Sequence, residues 1–483
     1  MLTTTLPPEP PSDAPSTQFP EPSGSVLGAT ALVAGTTIGA GVLALPATTL
    51  QAGFAPSAAA LVGAWAYMCA TGLLIAEANV NTLCSIGRSG VSIGSMASET
   101  LGAPAQAAAS LAYAFIHYCL LVAYFLQGGQ LLLELAPALQ PLVPASLAPA
   151  LFAAAVGAFL FVGAPAVVET VNTAIVVGVA ASFGALLSFG APQVDPALLA
   201  HADAAAVVPA LPVMVLAFTY HNVVPTITYQ LGCDLAKVRT AVIAGSALPL
   251  LLFVLWNGIV LGSVPFDAAS AAAALPDGAP FDPLASLRAE GGAVGGTIAL
   301  FSILAILSSA VGFIFGLVDF YADLLAEPLG LVDGGSAVAA EAEAAAGKGF
   351  FAAAAAAADA AEAADDDDDD GGGGGLAQSA PLGARAALFS LALLPPVAVA
   401  LSGEDAASLF FSALDTAGTY GILTLFGILP AAMSWAQRYG DDASPFVEPV
   451  LPGGRLGLGA VGGVAVAFVA LESWERLSGA VGV

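Results

Sequence analysis

Apolar residues in this chain come as long continuous runs, separated by short polar or Pro/Gly-rich breaks, with no period-two alternation. Runs long enough to cross a bilayer lie at about 26–50, 54–77, 107–136, 147–163, 166–190, 207–229, 240–262, 296–325, 385–401, 408–434 and 456–475. Roughly twenty helical residues, each rising about 1.5 Å, traverse the hydrocarbon core. Unbroken apolarity identifies helices rather than barrel strands, which would alternate. The pattern predicts an all-α integral membrane protein of about eleven spans.

Two runs are interrupted at mid-depth. The first carries Gly35-Thr36-Thr37-Ile38-Gly39-Ala40-Gly41 and then Pro46. Its glycines weaken the helix, and Pro46 cannot donate to the carbonyl of Val42. Close helix packing through the Gly35/Gly39 pair is the competing account. The sixth run decides between them, because Phe218-Thr219-Tyr220-His221-Asn222-Val223-Val224-Pro225 falls at the same depth. There Pro225 leaves the His221 carbonyl without its helical donor. Irregular backbone at that depth is tolerated only inside protein or along a wet cavity. Paired interruptions five spans apart point to a transporter built from inverted repeats, spans 1–5 and 6–10, with span 11 added.

Composition agrees with a lipid-solvated chain. Hydrophobic residues are 58% of the sequence and charged residues 9%, against roughly 25% charged in soluble domains. The net charge of −27 has its densest part in one segment: residues 327–376 hold twelve acids against the single base Lys348. Residues 330–384, rich in Ala, Asp and Gly, read as a disordered acidic cytoplasmic loop, and 1–24, rich in Pro and Ser, as a disordered tail with no signal-peptide pattern. Such acidity excludes nucleic acid as a partner. The membrane portions are then 25–329, with spans 1–8, and 385–483, with spans 9–11.

Charge also orients the chain. With the N-terminus inside, Arg88, Lys237, Arg239, Lys348, Arg385, Arg438 and Arg455 fall on the cytoplasmic side, and only Arg288 and Arg476 opposite. That bias obeys the positive-inside rule. The four cysteines show no CxxC spacing and read as free, buried groups. No metal-ligand spacing or nucleophile–base pair suggests an enzyme, a metal site or a cofactor. Glu77 ends the second run, where it reads as interfacial, and Asp319 and Asp323 lie near the cytoplasmic end of the eighth. In that run Ser302, Ala305, Ser309, Gly312 and Gly316 share a small-residue face with these acids, and His117 lies near mid-depth in the third.

The segments VAGTTIGAGVLALP (33–46), GAWAYMCATGLLIAEANV (63–80), FTYHNVVPTITYQ (218–230), GSALPLLLFVLW (245–256), GLVDFYAD (316–323) and LLPP (393–396) resemble the tyrosine- and tryptophan-specific permeases of the hydroxy/aromatic amino-acid permease family, in the amino acid–polyamine–organocation superfamily. The resemblance implies an eleven-span secondary carrier with the five-plus-five repeat, moving an aromatic amino acid together with a proton; as to the membrane, the plasma membrane and a plastid envelope are both open. The acidic insert departs from the family pattern, as do Thr219 and Tyr220. On this reading the freed amides of Gly39, Ala40 and Gly41, beside Thr37, take the substrate carboxylate, as helix N-terminal ends bind anions. Carbonyls near Phe218 and His221 take the ammonium group. Phe218, Tyr220 and Tyr124 wall the aromatic ring. His221 is the first candidate for proton coupling, with Glu77 or Asp319 second. A carrier for another neutral amino acid, a sodium-coupled carrier, and a receptor or scaffold that transports nothing are the rival readings.

Overall fold

The computed structural model describes residues 24–39, 41–86, 91–265, 281–325, 381–402, 406–441, 443 and 445–481. Among them ten helices are long and apolar enough to cross a bilayer, and a bent pair makes the eleventh. Span 1 is Val26–Thr37 plus Gly41–Thr49, span 2 Phe54–Ile86, span 3 Ala103–Leu135, span 4 Ala148–Val162 and span 5 Pro165–Gly190. Span 6 is Leu211–Ala217 plus Val224–Gln230, span 7 Leu235–Ser263, span 8 Gly292–Leu324 and span 9 Leu382–Ala400. Span 10 runs from Ala406 to Tyr439, and span 11 is Gly454–Val481. All eleven expected runs are helical. Two short helices, Ile93–Leu101 and Pro283–Glu290, bridge spans 2–3 and 7–8. The expected N-terminal tail and most of the acidic loop lie outside the described residues, and span 9 begins at Leu382.

The packing repeats itself when each span number is advanced by five. Span 1 packs on span 7, and span 6 on span 2. Span 3 packs on span 10, and span 8 on span 5; span 2 packs on span 10, and span 7 on span 5. Likewise 3 meets 4 as 8 meets 9, and 3 meets 9 as 8 meets 4. The corresponding spans 1 and 6, 2 and 7, 3 and 8, and 4 and 9 touch one another directly. This is the five-plus-five architecture, recovered from neighbours rather than from residue identity. The two outer-side arginines fall at one end: Arg288 pairs with Glu134 at the close of span 3, and Arg476 with Asp415 at the start of span 10. Arg438 and Arg239 bond at the opposite end.

Span 2 continues nine residues past Glu77, which corrects its expected interfacial position. Glu77 is buried and bidentate with Arg438 of span 10, Oε1 accepting from Nε at 2.6 Å. Its Oε2 also accepts the Val450 N–H at 2.8 Å. One turn on, Asn81 Oδ1 accepts the Phe446 N–H at 2.8 Å, and Gln437 Nε2 donates to the Ala78 carbonyl at 3.2 Å. Hydropathy falls from Glu77 on, yet these polar groups sit within the helix because protein satisfies them. The helix itself does not end.

Close approach shapes the span 1–span 7 contact. A Cβ on Gly245 would stand 2.6 Å from Val33 Cβ and 2.7 Å from the Thr30 carbonyl oxygen, so only glycine allows these helices to sit so near. At the start of span 7 the Asp234 carboxylate caps the Ala236 and Lys237 amides at 3.0 and 3.2 Å. The Lys237 amide above all, with Ala236 behind it, holds that carboxyl below its ordinary pKa.

Candidate functional site at the two helix breaks

The halves of span 1 are bent by 55° at 38–40. Ile38 is extended, with φ −82° and ψ 91°, and the Gly39 N–H makes no hydrogen bond among the described residues. Ala40 lies outside those residues. The carbonyl that Pro46 orphans is satisfied: the Trp256 indole N–H of span 7 donates to Val42 O at 3.1 Å. The neighbouring Asn257 Oδ1 accepts from the Thr49 hydroxyl at 2.9 Å. Span 7 therefore holds the outer half of span 1 by two buried bonds. Thr37, placed in the site by sequence, turns its hydroxyl back to the Val33 carbonyl at 2.7 Å, capping its own helix.

Span 6 breaks by tightening and then turning. The Phe218 and Thr219 amides fold back onto the Val215 and Leu216 carbonyls, both at 3.1 Å. Tyr220 leaves helical geometry, with φ −138°, and His221–Val223 forms a single 3-10 turn. The expectation of an unpaired His221 carbonyl is corrected by that turn. Pro225 removes the i+4 donor, but the Val224 N–H reaches the same oxygen one residue earlier.

The two breaks meet. A Cβ on Gly41 would lie 3.4 Å from Ala217 Cα, at the last residue of the first half of span 6. A Cβ on Gly39 would lie 3.3 Å from Ser309 Oγ in span 8, and the Tyr124 hydroxyl of span 3 comes near the same serine. Gly39, Tyr124 and Ser309 thus form one cluster, with Tyr124 edge-on to Phe313 at 5.6 Å. Phe218 packs 5.3 Å from Phe253 of span 7. Beside it a narrow apolar cavity is lined by Ile38, Val42 and Phe301 among others. Thr37, Tyr124, Phe218, Tyr220 and His221 are all buried, while Gly39, Gly41 and Thr219 are partly exposed.

Tyr220 and His221 form a second cluster, directed at spans 2 and 10. The Tyr220 hydroxyl donates to the Met68 carbonyl at 3.0 Å, and a Cβ on Gly72 would stand 2.7 Å from that hydroxyl. His221 is stacked between Tyr220 and Phe426, 4.8 Å from each. Its Nε2 meets Thr71 Oγ1 at 2.8 Å, and the Thr71 hydroxyl itself donates to the Met68 carbonyl at 3.2 Å. A consistent tautomer has Nε2–H donating to Thr71. The His221 Nδ1 and the Thr219 and Thr419 hydroxyls are then buried polar atoms without partners. Such orphans cost about 1–3 kcal/mol each unless something satisfies them.

The remaining acidic candidates stand apart. Glu77 is committed to Arg438 and Val450. Asp319 lies ten residues from Ser309 along span 8, about 15 Å at the helical rise, and pairs with no described side chain. His117 Nδ1 donates to the Tyr113 carbonyl at 2.8 Å, and its ring packs tilted against Tyr113 and Phe313. Sequence reasoning missed Thr71 and Phe426. Phe426 lies in a π-helical stretch, Ala417–Ile428, whose wider turn carries no compositional signal and which recurs at functional sites. The four cysteines are free, though only Cys69 is buried.

Known proteins bear on this geometry. Residues 23–327 match the tryptophan/tyrosine permease family, a stretch containing spans 1–8 and both breaks. The tyrosine-specific transport system 1 of Haemophilus influenzae is 29% identical over 304 residues, covering 62% of this chain and 73% of that protein. The tryptophan-specific transport protein of Pseudomonas aeruginosa is 29% identical over 316 residues, covering 64% and 74%, and that of Shigella flexneri 30% identical over 318 residues, covering 62% and 73%. With the repeat, the paired breaks and this match in hand, the chain belongs to the tryptophan/tyrosine permease family.

Proposed function

We propose that this protein is a secondary transporter of aromatic amino acids, tyrosine or tryptophan, that works by alternating access in symport with protons. The observation that carries the reading is the meeting of the two helix breaks, Gly41 against Ala217, beneath the Gly39–Ser309–Tyr124 cluster. The free Gly39 amide supplies a donor for a substrate carboxylate at a helix break. Tyr124 and Phe218 supply apolar walls for a ring, and the orphaned Thr219 hydroxyl a polar contact. Tyr220 supports span 6 from behind, through Met68, rather than lining the ring pocket. Reconstitution into proteoliposomes tests the reading: radiolabelled tyrosine or tryptophan should accumulate under an imposed inward-acid gradient and be competed by the other. Uptake that ignores both amino acids would refute it, and a sodium requirement would reassign the coupling ion.

Proton coupling is assigned to His221. Its Nε2 is held on Thr71, so Nδ1 is the ring position open to a proton when the site admits water. Glu77 loses its candidacy to the Arg438 pair, and Asp319 remains the second choice. His221→Gln keeps hydrogen-bonding capacity but cannot titrate near neutrality. The variant should exchange substrate yet no longer concentrate it under a pH gradient. Accumulation equal to wild type would move the proton elsewhere. The membrane is the plasma membrane or a plastid envelope, which imaging a fluorescent fusion distinguishes.

A further inference from the structure

On the side of the molecule away from the cytoplasmic arginines, a cavity of ≈ 270 Å³ opens between the end of span 3, the helix Pro283–Glu290 and the start of span 10. That is close to the lower end of small-molecule pockets, roughly 300 Å³. Its chemistry is mixed in a specific way. Arg288, whose side chain is only 7% exposed, reaches Glu134 through Nε at 3.1 Å and Asp282 through a terminal nitrogen at 3.8 Å. One cation faces two carboxylates, which leaves an excess negative charge. Burial raises the Asp282 carboxyl above its ordinary pKa, with Arg288 opposing. On the opposite wall Phe410 and Phe411 meet edge to face at 5.0 Å.

Gln127 supplies the decisive observation. It lines the cavity, is 8% exposed, and its amide hydrogen-bonds to no described residue. That amide faces the cavity, where it offers both a donor and an acceptor to a ligand. Gln127 also follows Tyr124 by three residues on span 3, about 4.5 Å along the axis. The cavity floor therefore lies one turn outward of the cluster at the helix breaks.

We propose that this cavity is a vestibule site for a zwitterionic amino acid. Arg288 takes the carboxylate, Glu134 and Asp282 the ammonium group, Gln127 hydrogen-bonds either end, and the phenylalanines pack the side chain. The inference rests on the transport reading and extends it, placing a first stop on the path to the breaks. A ligand there competes with the Glu134–Arg288 pair, so occupancy loosens the tie between span 3 and the helix Pro283–Glu290.

Equilibrium dialysis of the full chain in lipid nanodiscs, with radiolabelled L-tryptophan and L-tyrosine, tests it. Wild type should bind two molecules per protein. Gln127→Leu, which breaks no bond within the protein, should weaken the second site at least tenfold and read as one. Phe411→Leu should do the same through the apolar wall, and size-exclusion profiles check that both variants are folded. In wild type, tryptamine and indole-3-propionate, each lacking one charge, should fail to displace the second molecule. One-site binding in wild type, undiminished two-site binding in a folded variant, or displacement by either analogue overturns the vestibule and leaves the transport reading standing. Absence of any aromatic amino-acid binding or uptake in wild type overturns both.

Discussion

Replacing Glu77 by Gln removes one charge from a pair in which Glu77 is 1% and Arg438 3% exposed at the side chain. The amide remains close to isosteric, so packing changes little. Arg438 is left charged, buried and without a carboxylate, and one acceptor for the Val450 N–H or the guanidinium is lost. Breaking a buried pair by removing one partner costs about 3–5 kcal/mol, far above the value of the pair relative to an apolar replacement. At about 1.4 kcal/mol per power of ten, that is a shift of roughly two to three and a half decades. The strain falls where span 2, span 10 and the 440–453 segment are tied together. Much of it is relieved if that end opens, so inward-open forms gain population while the fold persists. The expected outcome is a lower thermal midpoint by scanning fluorimetry, faster substrate exchange and poorer accumulation. Glu77→Met combined with Arg438→Met separates charge from packing, because an apolar pair of similar volume restores stability. An unchanged midpoint in Glu77→Gln, or a double variant worse than the sum of the singles, would refute the clamp.

Two further outcomes follow from the breaks. Gly39→Val should abolish uptake with normal membrane insertion while Gly39→Ala reduces it less, because a Cβ there already comes to 3.3 Å from Ser309 Oγ and valine adds two methyls at the carboxylate donor; radiolabel uptake against surface expression measures this. Trp256→Phe should destabilise by about 1–3 kcal/mol, since it strands the Val42 carbonyl that Pro46 cannot serve, and thermal denaturation of the purified protein reads the loss.

The spans and both breaks were legible in the sequence because their causes are local. A run of about twenty apolar residues must cross lipid as helix, and glycine or proline acts on its own turn. The sorting of basic residues was legible too, since Arg288 and Arg476 fall at one end of the bundle and Arg239 and Arg438 at the other. Polar residues whose partners lie far along the chain were not. Glu77 looked like a helix end because Arg438 stands 361 residues away. The His221 carbonyl looked orphaned because the next turn can tighten to 3-10, a choice made by packing against Thr71 and Phe426. The Val42 carbonyl did lose its helical donor, but the replacement comes from Trp256, 214 residues on. Tyr124 and Gly39 were each suspected, yet only the tertiary structure joins them through Ser309. In a membrane chain, hydropathy along one helix decides whether a segment enters lipid. Which faces meet is decided by close packing and by the need of every buried polar group for a partner, and both are properties of pairs of segments that no single stretch contains.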